Sequence, residues 1–244
     1  MTTEPGAHNQ PFEAPATAPS TGHEQGQPGA TPAALQVQIL ATEHWSLLAT
    51  RSQTWNESFA RAQMFLSVLA ASVIALALVA EASSFGSGFT TFALILLPVV
   101  LFLGLTTYIR LVAINHDETR WVLGMNRIRA AYLELAPELE RWFITSHHDD
   151  EKGAAAATAG WMTFPTLFGY VTTPAAVGMV DAVIAGVITF LATRALGLQA
   201  PAAAALGVLT AVALNLALTA YSRRAYRRWR QIYPPVSPTP DTVR

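Results

Sequence analysis

Residues 62–80 read AQMFLSVLAASVIALALVA, a run of nineteen residues without a charge. Residues 92–109, FALILLPVVLFLGLTTYI, belong to a second uncharged stretch that extends from Glu81 to Arg110. The hydrocarbon core of a bilayer is about 30 Å thick and needs roughly 20 apolar residues per helix. The two stretches therefore predict transmembrane helices at 62–80 and 87–109.

Two further apolar stretches, 168–193 and 201–221, predict a second pair of transmembrane helices. The connections within each pair are short, which favours two helical hairpins. With four spans, fourteen of the fifteen Lys and Arg residues fall on one side of the membrane, and only Arg194 falls on the other. Because basic residues beside spans stay in the cytoplasm, both termini are expected there. The expected fold is all-α, with an N-in, C-in topology.

Amphipathic segments adjoin the first pair of spans, at 34–61 and 110–145. Their apolar residues recur at intervals of three and four, a spacing typical of helices with one apolar face. Since each segment continues a span, we expect an antiparallel cytoplasmic stalk, with Pro137 kinking or ending the second helix. The alternative is two helices lying flat on the inner leaflet. The first stripe is Val37, Ala41, Trp45, Leu48, Ser52, Trp55 and Phe59, and the second is Leu111, Ile114, Glu118, Trp121, Met125, Ile128, Tyr132, Leu135, Leu139 and Trp142. The expected aromatic core of the stalk is Trp45, Trp55, Trp121 and Tyr132.

The remaining segments are polar or basic. Residues 1–33 lack the basic start and apolar core of a signal peptide, and their Pro, Gly, Ala and Thr content predicts a disordered tail. Residues 146–165 are interpreted as a cytoplasmic linker, in which His147–Glu151 is a solvated acidic run rather than a metal site. Residues 222–244 are expected to form a basic cytoplasmic tail that ends in a floppy, proline-rich stretch and binds anionic lipid headgroups. Its predicted interface anchors are Arg223, Arg224, Arg227, Arg228, Trp229 and Arg230.

Asp181 is a charge near the middle of the third predicted span. A central ionised carboxylate costs at least about 2.5 kcal/mol, so the group is expected to pair, face water or stay protonated. It adjoins a ridge of small residues, Gly178, Ala182 and Gly186, which favours close helix packing in lipid. By depth, its expected partners are Thr210 and Asn215 in the fourth span. The candidate intramembrane polar site is Asp181, Thr189, Thr210 and Asn215, interpreted either as a proton or cation site or as a protonated acid packed between helices.

Composition excludes several classes of function. The chain has no cysteine, which rules out disulfides and thiolate chemistry. The net charge of −1 provides no bulk attraction for nucleic acid. No motif supplies the reacting groups of a metalloprotease, serine hydrolase or aspartyl protease, so we expect neither enzymatic activity nor a cofactor. The preference for Arg over Lys and the high Ala content suggest a bacterial genome rich in GC, and hence the plasma membrane.

The stretches HWSLLATRSQTWNESFARAQMFLSVLAASVIALAL and LVAINHDETRWVLGMNRIRAAYLELAPELE resemble a family of uncharacterised bacterial multi-pass membrane proteins with a helix, two-span, helix layout. The resemblance covers residues 35–150. In layout alone, this part is similar to SLATT-type effector domains of anti-phage systems, which implies oligomeric action on a membrane. The second pair of spans departs from that layout.

These observations lead to two hypotheses about function. The first is a non-enzymatic, oligomeric membrane scaffold or effector, whose stalk meets a cytoplasmic protein partner. The second is a small channel or proton-coupled transporter centred on Asp181, which would also require an oligomer because four spans are few.

Overall fold

The computed structural model describes residues 31–158 and 172–240, and all regular structure in them is helical. The all-α class is confirmed, and four helices are long and apolar enough to cross a membrane. They are α1 (Pro32–Ser83), α2 (Ser87–Leu135), α4 (Thr173–Ala195) and α5 (Ala200–Ile232), and a short α3 (Glu151–Thr158) lies between α2 and α4. The predicted disordered tail lies outside the described residues except for its last three positions.

The first helix, α1, runs without interruption through the predicted amphipathic segment and the predicted span. The Thr31 hydroxyl accepts a hydrogen bond from the Ala34 N–H at 3.3 Å, and Pro32 occupies the first helical turn, where its missing N–H does no harm. After Pro32 the helix contains neither Pro nor Gly over its 52 residues. The chain then turns through Ser84 and Phe85, both with positive φ, into α2.

The helix α2 ends just before Pro137, which confirms that this proline interrupts the second amphipathic segment. We expected a helix over 110–145, but α2 stops at Leu135 and is followed by a 3₁₀ segment, Pro137–Trp142. Proline has no N–H to donate and restricts the preceding residue, and Ala136 is accordingly non-helical with φ −148° and ψ 79°. The expected linker 146–165 contains α3, and its residues 159–165 lie outside the described chain.

The central element of the fold is α2, which packs against α1 on one side and α4 on the other, while α5 packs mainly on α4. The pairs Leu47 with Gly124, Arg51 with Glu118, and Phe65 with Gly104 show that α1 and α2 run antiparallel. The apolar core lies where α1, α2 and α4 meet, and it includes Phe65, Ala93, Leu97, Val100, Tyr108, Leu111, Val177 and Ile184.

Candidate functional site

Asp181 lies on α4 and faces α2. Its side chain is fully buried, and neither carboxylate oxygen has a hydrogen-bond partner among the described residues. The carboxylate rests on Gly104 of α2, where an added Cβ would overlap it, and the Phe65 ring of α1 lies beside the same spot. Because an unpaired ionised carboxylate is very unfavourable in an apolar interior, this environment favours the neutral acid.

The other members of the predicted polar site do not hydrogen-bond Asp181, so the expected pairing with Thr210 or Asn215 is wrong in this conformation. The Thr210 hydroxyl donates to the carbonyl of Leu206 in its own helix at 3.0 Å, and Thr189 donates to Ala185 in the same way. Asn215 is half-buried on α5. Among the described residues, the predicted polar site therefore reduces to one acid packed against a glycine.

Small residues set the spacing of the second helix pair. Gly186 of α4 and Gly207 of α5 face each other so closely that a Cβ on either would lie 2.8 Å from the carbonyl oxygen of the other. The Tyr108 ring of α2 packs on Gly178, and its hydroxyl donates to the carbonyl of Leu218 in α5 at 2.8 Å. The predicted small-residue ridge thus serves two contacts, with Gly186 meeting α5 and Gly178 meeting α2.

Several polar side chains pair across the contact between the amphipathic parts of α1 and α2. Arg51 donates to Glu118 at 2.7 Å, and the Trp121 indole N–H donates to the Thr54 hydroxyl at 3.0 Å. Glu57 accepts a two-fold hydrogen bond from Arg110, with both distances 2.9 Å. Hydrogen bonds from Arg110 and from Arg61 lower the pKa of Glu57 to about 2. These pairs fix the position of α1 along the length of α2.

The apolar stripe of α1 does not enter that contact. The Trp45 side chain is 70% exposed, Trp55 is 47% exposed and Phe59 is 50% exposed. The expectation that Trp45 and Trp55 form the stalk core is therefore wrong, because α1 turns a neighbouring face, with Leu47, Arg51 and Thr54, toward α2. We call the exposed stripe the outer face of α1, made of Val37, Ala41, Trp45, Leu48, Ser52, Trp55 and Phe59.

The second stripe, on α2, is buried as expected over most of its length. Leu111, Ile114, Met125 and Ile128 are buried, and Trp121 and Tyr132 are partly buried. The last three members, Leu135, Leu139 and Trp142, are 40%, 38% and 67% exposed. The stripe of α2 from Leu111 to Tyr132 therefore supplies the core between the amphipathic segments, and the stripe of α1 does not.

The basic end of α5 continues the same helix and packs against α2 instead of projecting freely. Trp229, one of the predicted lipid anchors, stacks on His116 of α2 with ring centroids 6.2 Å apart. Arg120 of α2 lies over the rings of both Trp121 and Tyr233. Arg230 pairs with Glu151 of α3 at 2.7 Å. The remaining predicted anchors are exposed, namely Arg223, Arg224, Arg227 and Arg228.

Asp149, in the acidic run, binds the C-terminal tail. Its fully buried carboxylate accepts hydrogen bonds from the backbone N–H groups of Val236 and Ser237, at 2.7 to 3.0 Å, and from the Arg127 side chain. Arg127 also donates to the carbonyl of Pro234 at 2.5 Å. We expected a solvated acidic loop and a floppy proline-rich tail, and both expectations are wrong, because each segment satisfies the polar groups of the other.

Asp150 extends the same contact. Its carboxylate accepts the Gly153 N–H at 2.8 Å, which caps α3, and also accepts the backbone N–H and hydroxyl of Thr239, each at 2.8 Å. Burial alone would raise the pKa of Asp150, but these hydrogen bonds outweigh it, and the pKa lies below its ordinary value. We call the set Arg127, Asp149, Asp150, Val236, Ser237 and Thr239 the tail clamp.

Two histidines are partly buried, His44 on α1 and His116 on α2. Burial, reinforced by the positive charge of Arg129, lowers the pKa of His44. Burial also lowers the pKa of His116, although the neighbouring Asp117 carboxylate works in the opposite direction. Both imidazoles are therefore neutral at pH 7. In residues 31–158 and 172–240, no three His, Asp or Glu side chains are grouped to hold a metal ion.

A cavity of about 500 Å³ opens between α1, α2 and the beginning of α4. Trp55, Phe59 and Leu111 give it an apolar wall, and the Arg51 and Glu118 pair gives it a charged one. Asp181 does not line this cavity, so the buried acid and the cavity are separate features. Comparison with protein-family models, curated proteins and solved structures found no match to this chain.

Proposed function

We propose that the chain is a four-span protein of a bacterial plasma membrane, with two hairpins and both termini in the cytoplasm. The support comes from helix length combined with charge. The helices α1, α2 and α5, of 52, 49 and 33 residues, exceed the roughly 20 residues that a bilayer requires. Their extra turns adjoin one another, on the side that carries fourteen of the fifteen basic residues.

On that framework, the protein acts as a non-enzymatic, oligomeric membrane scaffold or effector. The observation that carries this proposal is the outer face of α1, an apolar surface held rigidly on the stalk and exposed over two tryptophans and a phenylalanine. Monomeric soluble surfaces rarely leave such a stripe uncovered, and it favours recognition of another protein. The layout resemblance to membrane-acting SLATT-type effectors points the same way.

Anionic lipids are the proposed partners at the inner leaflet. The four exposed arginines of α5 lie just beyond the proposed end of the fourth span, where each basic residue contributes about 1 kcal/mol near anionic headgroups. They would hold the cytoplasmic part close to the membrane, while Trp229 and Arg230 are engaged by α2 and α3.

Self-association tests the scaffold proposal. The purified protein in nanodiscs is expected to give a stoichiometry above one by native mass spectrometry, and cross-linking in cells is expected to capture further copies or a cytoplasmic partner. A strictly monomeric protein in nanodiscs, with no cross-linked species in cells, would overturn it.

A second candidate is proton or cation movement centred on Asp181. It is favoured by one observation, a fully buried carboxylic acid without a hydrogen-bond partner among the described residues. Intramembrane acids of this kind commonly mark ion or proton pathways. Flux into liposomes that carry the wild-type protein, but not Asp181→Asn, would establish this function. Absence of flux from both proteins would leave Asp181 as a packing group.

A further inference from the structure

Within the described residues, the outer face of α1 meets the rest of the chain only at its C-terminal end, where Trp55 and Phe59 border the cavity between α1, α2 and the beginning of α4. The contact with α2 uses a neighbouring face that carries Leu47, Arg51 and Phe65. We propose that a second copy of the chain covers the outer face, so that α1 pairs with α1 of its partner in a parallel dimer. This inference rests on the proposed oligomeric function and names its interface.

The straight path of α1 excludes the membrane surface as the partner of the outer face. Because α1 contains no Gly and no Pro after Pro32, nothing in its sequence kinks it between residues 61 and 62. If 62–80 crosses the bilayer, residues 34–61 extend the same axis for about 40 Å, at 1.5 Å per residue, away from the leaflet. A helix that lies flat on the membrane would require a sharp bend that α1 does not have.

The charges around the outer face also favour a protein. Amphipathic helices that bind membranes place free Lys and Arg beside the apolar stripe. Here the border positions Gln38, Ala49, Asn56 and Gln63 are uncharged. The arginines of this part of α1 are both engaged, Arg51 by Glu118 and Arg61 by Glu57. No unpaired cation is therefore available there for anionic headgroups.

The spacing of the outer face matches a helix partner. Trp45, Leu48, Ser52, Trp55 and Phe59 alternate steps of three and four residues, the 3.5-residue period of a two-helix seam. In the proposed span, Leu66 and Val73 prolong this line and are exposed, whereas Ala62 is buried and Leu69 packs on the apolar core of the same chain. The proposed seam is therefore the stretch from Trp45 to Phe59.

Symmetry sets the direction of the pairing. Two copies with the same orientation in one membrane are related by rotation about an axis along the membrane normal. Such a rotation brings α1 beside α1 in the parallel direction, with each seam residue opposite its own copy. Ser52, at the middle of the seam, therefore lies next to the partner's Ser52.

Disulfide cross-linking tests this geometry directly, because the chain contains no natural cysteine. Ser52→Cys is expected to give mostly dimer when membranes are oxidised, since a disulfide requires Cα atoms about 4.4 to 6.8 Å apart. The matched control is Ser46→Cys, also an exposed serine on α1 but about 120° away around the helix. It is expected to give at least tenfold less dimer. Trp45→Ser, combined with Ser52→Cys, is expected to reduce the dimer fraction at least threefold.

Two outcomes would overturn the proposal in different ways. An oligomer by native mass spectrometry in which Ser52→Cys cross-links no better than Ser46→Cys would place the interface elsewhere and leave the oligomeric function standing. A monomer in nanodiscs that also fails to cross-link would overturn this inference together with the proposed oligomeric function.

Discussion

Gly104 of α2 lies directly against the carboxylate of Asp181 on α4, in a space that holds no β-carbon. The contact joins the first helix pair to the second at the centre of the proposed membrane region. Only glycine at position 104 leaves room for the Asp181 carboxylate, so this packing requires Gly104.

The first prediction concerns this contact. Gly104→Ala is expected to lower stability by about 1–3 kcal/mol, because overpacking forces the carboxylate or the helices to move. In an Asp181→Ala background the loss is expected to shrink, since the colliding group is gone, and a double-mutant cycle in thermal or SDS unfolding measures the coupling. Gly88→Ala, where the nearest atom outside the chain neighbours is 3.8 Å away, is the control. Equal losses in both Asp181 backgrounds would contradict the contact.

The second prediction concerns the tail clamp. Asp149→Asn replaces one acceptor oxygen with an NH₂ group, which would face the Val236 N–H together with either the Ser237 N–H or the Arg127 side chain. Hydrogen bonds to charged groups contribute about 1.5–3 kcal/mol, so exchange of the Val236 and Ser237 amides is expected to accelerate tenfold or more. Hydrogen exchange by mass spectrometry measures this change. Glu151→Gln, which affects only an exposed pair with Arg230, should leave both amides protected. Unchanged exchange in Asp149→Asn would show that the clamp does not hold the tail.

The third prediction concerns acid sensitivity through His116. Because burial lowers its pKa, the folded protein resists protonating an imidazole that the unfolded chain protonates near pH 6.5. This stabilising effect of the neutral imidazole is complete above pH 6.5 and is lost as pH falls toward the folded pKa. The melting temperature is expected to drop between pH 7.5 and 5, and to drop less in His116→Phe. His44 contributes in the same direction, so His44→Leu with His116→Phe should flatten the curve further. Identical curves for wild type and His116→Phe would contradict the assignment.

The fourth prediction ranks two acids of the stalk. Glu57→Gln is expected to cost no more than about 1 kcal/mol, because its pairs are partly exposed. Glu118→Gln should cost more, since its side chain is only 15% exposed and its partner Arg51 comes from the other helix. The pKa of Glu57 is lowered, so its contribution is present above pH 4.5 and disappears as pH falls toward about 2. Urea or SDS unfolding gives the order, and a larger loss for Glu57→Gln would reverse it.

Much of the fold could be predicted from the sequence, because apolar length and helical period respond to a single physical requirement. An uncharged apolar run such as 62–80 is long enough to cross a bilayer, and a helix is the structure that satisfies its backbone hydrogen bonds within the segment itself. The same reasoning located the close approach of Gly186, because only small residues permit it. Pro137 likewise predicted an interruption, and α2 ends two residues before it instead of continuing to residue 145.

The contact between α1 and α2 could not be predicted in the same way. Periodicity shows that α1 has an apolar face, but it does not say what covers that face. The face that meets α2 contains Arg51 and Thr54, whose partners Glu118 and Trp121 lie 67 residues away in the chain. Hydrophobic patterns therefore indicated the wrong side of α1.

The tail clamp was missed for a related reason. Asp149 and Ser237 have no local pattern that joins them, and each segment viewed alone is typical of solvated chain. The available signal was the combination of adjacent acids with an extended, proline-rich segment whose backbone N–H groups lack helical partners. Similarly, the position of Asp181 along α4 could be predicted from the sequence. The direction in which its side chain points, toward Gly104, depends on how α4 packs on α2.

The tail clamp also closes a noncovalent ring in the chain. Asp149 and Val236 are 87 residues apart in sequence, and the second helix pair, α4 and α5, lies between them. Closing a flexible ring of that size costs about 4 kcal/mol of chain entropy. Once α4 has packed on α2, the two ends of the ring are already held close together, so the clamp forms without that loss of entropy. The packing of α4 and the binding of the tail therefore favour each other through the connectivity of the backbone. Opening the clamp would release configurational freedom in a third of the molecule rather than in the few residues that it touches.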